Sequence, residues 1–143
     1  MNRHTLYIAV FIFVFLMFVA WALSKADAAD YSAVLTDLRN KPIPDEADCS
    51  QTMPREQCPQ LTLGSAAANA LLMNDPDLDK LSPIEKLKEK VRRERLAERV
   101  IAGGKFDLGS DDISLIKRKI SDLYGTLVVG KAAPLLDPAE VSK

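Results

Sequence analysis

A chain of 143 residues and 15.8 kDa has room for one modest domain, and its 48% hydrophobic and 27% charged residues look globular on average. Nineteen Lys and Arg against twenty Asp and Glu leave a net charge of −1, which excludes a globally basic nucleic-acid binder and a protein with an acidic tail. One His and two Cys leave few ligands for a transition metal and little for a His-dependent catalytic site.

The average hides an uneven distribution. Residues 6–23, LYIAVFIFVFLMFVAWAL, run without a charge, Gly or Pro. As a helix they would span about 27 Å, close to the hydrocarbon thickness of a bilayer. Tyr7 and Trp21 stand near the two ends, where amphipathic rings favour the headgroup level. The composition therefore predicts an N-terminal hydrophobic helix that makes the membrane a partner through residues 6–23. Residues 1–28 also fit a signal peptide, with Arg3 in the n-region and Ala26-Asp27-Ala28 as a cleavage site. The length of the apolar run favours an uncleaved signal anchor over cleavage. Either way Arg3 stays in the cytoplasm and the bulk is exported. The expected location is a bacterial inner membrane, single-pass, with the bulk in the periplasm. The alternative is a cleaved chain released into the periplasm.

Residues 29–61 read as extended chain and a Cys-containing loop. In YSAVLTDLRNKPI (31–43), Val34, Thr36 and Leu38 alternate with Leu35 and Asp37, and Asn40 suits a left-handed turn, so a short β-hairpin is expected. Cys49 and Cys58 follow in a Pro-rich stretch. Their spacing is too wide for a zinc pair, and the only His is His4 in the n-region, so a disulfide is favoured over free thiols or a metal site. A bridge there would close a short loop and imply an oxidising compartment.

Residues 62–138 carry helical signals, and 139–143 form a tail. Thr62 is a cap for a helix over LGSAAANALLMN, stopped by Asp75-Pro76. Ser82-Pro83-Ile84-Glu85 is a capping box with Pro at the first helical position, opening a helix that ends near Gly103-Gly104. Ser110, Asp111 and Asp112 open a third, with acids at the positive end of the helix dipole. Its packing stripe is Ile113, Ile116, Ile120 and Leu123. Residues 124–136 form a fourth short helix with Pro134 near its end. The fold class is therefore mainly α: three to four helices behind the hydrophobic N-terminus.

The helix from 83 to 102 is the most charged. Ile84, Leu87, Val91, Ala97 and Ile101 cluster on one side, interrupted by Glu94 and Glu98, while Leu96 and Val100 lie elsewhere. Lys88, Arg92, Arg95 and Arg99 form a continuous basic stripe. Such a stripe is ordinarily a solvated face with i,i+3 and i,i+4 partners such as Glu85/Lys88 and Glu89/Arg93. Its sharper use is contact with an anionic surface, lipid headgroups first among them, or with an acidic protein partner. No aromatic interleaves the basic residues, so nucleic acid is not an expected partner.

Catalytic signatures fail on inspection. Gly104-Lys105 would need Gly at 99 and Ser or Thr at 106 to make a P-loop, and those positions hold Arg99 and Phe106. Asp75, Asp77 and Asp79 open like a calcium loop, but Lys80 stands where Gly belongs and Lys86 where Glu belongs. Gly64-Ser65 lacks a nucleophile elbow. No cofactor is expected, and an enzyme ranks third among the functional classes.

Three stretches, LTLGSAAANALL (61–72), LSPIEKLKEKVRRERLAERV (81–100) and DDISLIKRKISDLYGTLVVGKAAPLLDP (111–138), with the opening YSAVLTDLRNKPIPD, resemble a group of small proteins encoded by tailed bacteriophages and prophages. That group brings no assigned chemistry and no functional residues to transfer. The resemblance implies a phage context. With the apolar segment, the expectation is a non-enzymatic membrane-anchored or exported interaction protein at the bacterial envelope. The alternative is a virion or assembly factor whose N-terminus is a packing or pore-forming element.

Overall fold

A computed structural model of the chain describes residues 28–50 and 52–138. The hydrophobic segment 6–23, the signal-anchor features around it and the tail 139–143 lie outside the described residues. Among those described, the fold is mainly α, with four helices packed together and no regular strand. They are α1 (Leu63–Leu72), α2 (Pro83–Ile101), α3 (Ser110–Leu123) and α4 (Thr126–Leu136). A 3₁₀ turn, Pro76–Lys80, joins α1 to α2, and another spans Arg55–Gln57. No helix among the described residues is long and apolar enough to cross a membrane.

Local chemistry sets the helix starts. Thr62 accepts from the Ser65 backbone N–H, and the Ser65 side chain accepts from the Thr62 N–H. Ser82 and Glu85 make the same reciprocal pair, with Pro83 in the first turn. Each box satisfies N–H groups that have no partner inside the helix. The third start falls one residue early: Gly109 is the N-cap and Ser110 is already helical, with no side-chain cap. α4 accommodates Pro134 inside its last turn.

The described residues of 29–63 form no strand, yet they are well bonded. Three short extended segments meet, and their backbones close a ring. Leu35 N–H donates to Leu61 C=O at 2.8 Å, Leu61 N–H to Ile43 C=O at 2.7 Å, and Ile43 N–H to Leu35 C=O at 2.9 Å. Where a hairpin is expected, the chain does double back, with Asp37 N–H on Lys41 C=O and Asn40 at φ 59°. The pairing stops at an isolated bridge, Thr36 with Pro42. Pro42, Pro44 and Pro59 lack the N–H groups that a longer ladder would use. Leu35 points inward and is buried, while Val34 and Leu38 are exposed.

α1 is the hub. It packs against α2 and α3, and α4 packs on α3. Seven of its ten residues are buried, four of them Ala. Small side chains let the neighbouring backbones come close, and Gly64 marks the tightest point. A Cβ there would lie 2.3 Å from the Val100 carbonyl oxygen and 2.9 Å from that of Tyr31. The Gly64 N–H donates to that same Tyr31 oxygen at 2.8 Å. Around this contact sit Tyr31, Leu35, Leu61, Leu63, Leu71, Val100, Ile116 and Ile120, all buried.

A Gly64→Ala substitution should therefore destabilise the fold by about 3 kcal/mol, since the obstructing atoms are backbone and cannot swing away. Gly109→Ser, at a helix cap with open space around it, should be neutral or stabilise by a few tenths of a kcal/mol. Urea denaturation of the two variants checks both expectations.

Candidate functional site

α2 presents the least ordinary surface. Its buried residues are Arg93, Leu96, Ala97 and Val100. At about 100° per residue these fall on one side. Ile84, Leu87 and Val91 fall on roughly the opposite side and are 68%, 64% and 37% exposed. The apolar cluster legible in the sequence is thus an outward ridge. The core face is built instead from Leu96, Val100 and Ala97, with a charged residue among them. None of residues 83–92 is buried, so the first half of α2 extends past the packed body.

Lys88, Arg92, Arg95 and Arg99 are brought together along one flank of the ridge. With Leu87, Val91, Leu96 and Asp112 they line a groove of about 550 Å³. Two of the four are held in place by the fold. Arg92 bonds the Asp112 carboxylate of α3 and lies 3.8 Å from Glu89. Arg99 donates to the Asp107 carbonyl at 3.3 Å and stacks over the Phe106 ring at 4.8 Å. Phe106 in turn stacks on Tyr31 at 4.5 Å. Burial pushes the Tyr31 phenol up to about 12, and its hydroxyl has no hydrogen-bond partner among the described residues. Lys88 and Arg95 make no ion pair among the described residues. Of the expected i,i+3 and i,i+4 pairs, Glu89/Arg93 is present at 2.9 Å, whereas Glu85 is taken up by the Ser82 capping box.

A buried ionic cluster lies on the other side of α2, and sequence reasoning missed it. Asp75, at the start of the 3₁₀ turn, receives Lys119 of α3 at 2.6 Å and Arg93 of α2 at 2.8 Å on the same oxygen. Asp122 backs Lys119 at 3.0 Å and Glu89 backs Arg93. The Asp75 carboxylate is held well below the usual range, chiefly by the Lys119 hydrogen bond and then by Arg93, against the cost of burial. Burial pulls the Lys119 ammonium down, but Asp75 and Asp122 outweigh it. A sequence signal existed: Arg93 sits three, four and seven residues before Leu96, Ala97 and Val100, and Lys119 sits between Ile116 and Ile120. Both are charges at core spacing.

The acids of the 75–79 stretch have local employment. Asp75 caps the 3₁₀ turn, Asp77 pairs with Lys80 at 2.7 Å, and Asp79 pairs with Lys86. No group of side chains able to hold a metal occurs among the described residues.

On α3, Ile116 and Ile120 are fully buried, and Ile113 packs at the core's edge. Leu123 is 41% exposed and lines a shallow groove of about 400 Å³ with Asn69, Asp45 and Tyr124. Leu115 and Lys119 share the buried face with Ile116 and Ile120. At about 100° per residue Leu123 falls on that same side, between Lys119 and Ile116, but it is the last residue of the helix. Cys49 and Cys58 are bridged, closing the loop that contains the 55–57 turn. No protein-family model, curated protein or solved structure matches the chain.

Asp75→Asn should cost about 3 kcal/mol at neutral pH, because two buried cations lose their shared counter-charge. Since the folded-state value of Asp75 lies below its unfolded one, its contribution is complete above about pH 4 and declines as the pH falls further. The gap between wild type and Asp75→Asn should therefore narrow below about pH 4, as read from denaturation midpoints over a pH series.

Proposed function

We propose that the protein is a non-enzymatic, membrane-tethered interaction protein of phage or prophage type, acting at the bacterial envelope. The observation that carries this reading is the ridge of Ile84, Leu87 and Val91, turned away from the core and bordered by Lys88, Arg92, Arg95 and Arg99. Apolar side chains held outward on a helix lose solvation free energy unless something covers them. A basic border adds attraction to an anionic surface and speeds encounter.

Export is supported by the apolar composition of 6–23 and by the Cys49–Cys58 bridge, which is a feature of oxidising compartments. The described chain begins beside the C-terminal end of α2, where Tyr31 N–H bonds Gly104 C=O and Phe106 N–H bonds Ala29 C=O. With residues 6–23 in the bilayer, the four residues 24–27 reach at most about 14 Å. The ridge stands near the other end of a helix about 28 Å long.

Two measurements test the reading together. Alkaline phosphatase fused after Lys143 should be active in intact bacteria, and the two cysteines should resist maleimide labelling until reductant is added. An inactive fusion with freely labelled cysteines would place the chain in the cytosol and end the proposal.

A further inference from the structure

The ridge and its border also indicate what covers them. We infer that the exposed half of α2 docks an acidic amphipathic helix of a partner protein; this rests on the interaction-protein reading above. Three observations select that occupant.

First, a second copy of this chain paired over the ridge itself is unsuited. Ile84, Leu87 and Val91 follow a 3-4 spacing, and level with them the seam is flanked by Lys88 on one side and Lys90 on the other. Two copies paired over residues 84–91 would set these cations against the same cations of the other chain. Second, a flat anionic bilayer is unsuited. Continued along the helix, the ridge runs into Glu94 and Glu98, both exposed. A helix lying on lipid through Ile84, Leu87 and Val91 would press those carboxylates toward the headgroups. Third, the basic side is a shaped groove with fixed charges. Arg92 is pinned by Asp112, and Arg99 by Asp107 and the Phe106 ring. Guanidinium groups already held in place suit carboxylates at defined positions, and a fluid headgroup layer gains little from such fixing.

The spacing sets the partner's pattern. Lys88, Arg92 and Arg95 rise about 6 Å and then about 4.5 Å along the helix. A facing helix would carry acids at i, i+4 and i+7 beside a short apolar stripe that meets Leu87 and Val91. Recognition would read the stripe for affinity and the acids for orientation.

The test uses the full chain in detergent micelles and two labelled synthetic helices. One carries Leu at i, i+3 and i+7 with Glu at the flanking positions; the other has every Glu replaced by Gln. Fluorescence anisotropy should show the Glu helix bound about tenfold more tightly at low salt, with the preference shrinking as salt rises. Lys88→Glu with Arg95→Glu should invert the preference. Leu87→Ser should weaken both helices about fivefold. These residues are exposed, and an unchanged circular dichroism spectrum controls for folding. Equal binding of the two helices, or binding of neither, overturns the inference. So does flotation on phosphatidylglycerol vesicles that requires Lys88 and Arg95 without any helix preference, or a dimer in sedimentation that Leu87→Ser dissolves. An exported reporter with no helix preference removes this inference alone. A cytosolic reporter with the preference intact removes only the envelope reading.

Discussion

Everything in this fold is arranged around the place where α1 touches two other backbones. Gly64 lies within van der Waals range of the Val100 and Tyr31 carbonyls, and its own N–H bonds the latter. The contact joins the N-terminal extended region, the hub helix and the end of α2 at a single point. It explains why α1 is so rich in Ala: a chain this poor in aromatic residues cannot fill wide gaps, so its helices must close up instead. The core is therefore built of Ala and aliphatic side chains at short range, with the Tyr31–Phe106 stack as the aromatic contact among the described residues.

The second organising feature is polar. Asp75 gathers Arg93 and Lys119 from two different helices, and Glu89 and Asp122 give each cation a second carboxylate. Such a knot adds less to stability than an apolar core of the same size, but it tolerates one geometry only. It fixes how α2 and α3 sit against the turn that joins α1 to α2. Arg93 shares its side of α2 with Leu96, Ala97 and Val100, so the ionic cluster and the apolar contact require the same rotation of the helix. That rotation leaves Ile84, Leu87 and Val91 outward.

Helix positions were legible because caps are local. Thr62 with Ser65 and Ser82 with Glu85 act within four residues, and no tertiary contact overrides them. The face of α2 was not legible for a complementary reason. Periodicity counts apolar residues on a side; it carries no information about which side meets another helix. Two weak stripes competed, and the one that faces the core is the one that carries a buried arginine. The basic stripe was readable as a group, but the fixing of Arg92 and Arg99 by Asp112 and Phe106 was not, since those partners lie seven to twenty residues away and meet them only in the folded chain. On α3 the side was legible, with Ile116 and Ile120 buried as the stripe implies, while Leu123, the helix's last residue, stays part-exposed.

The ring of hydrogen bonds among Leu35, Ile43 and Leu61 has a consequence for how the molecule tolerates change. Asp45 N–H bonds Pro59 C=O just outside the ring, so both ends of the 46–58 excursion are clamped before the loop begins. Its length is decoupled from the packing beneath it. Natural insertions, or a grafted epitope for microscopy, would be absorbed there with little cost to the domain.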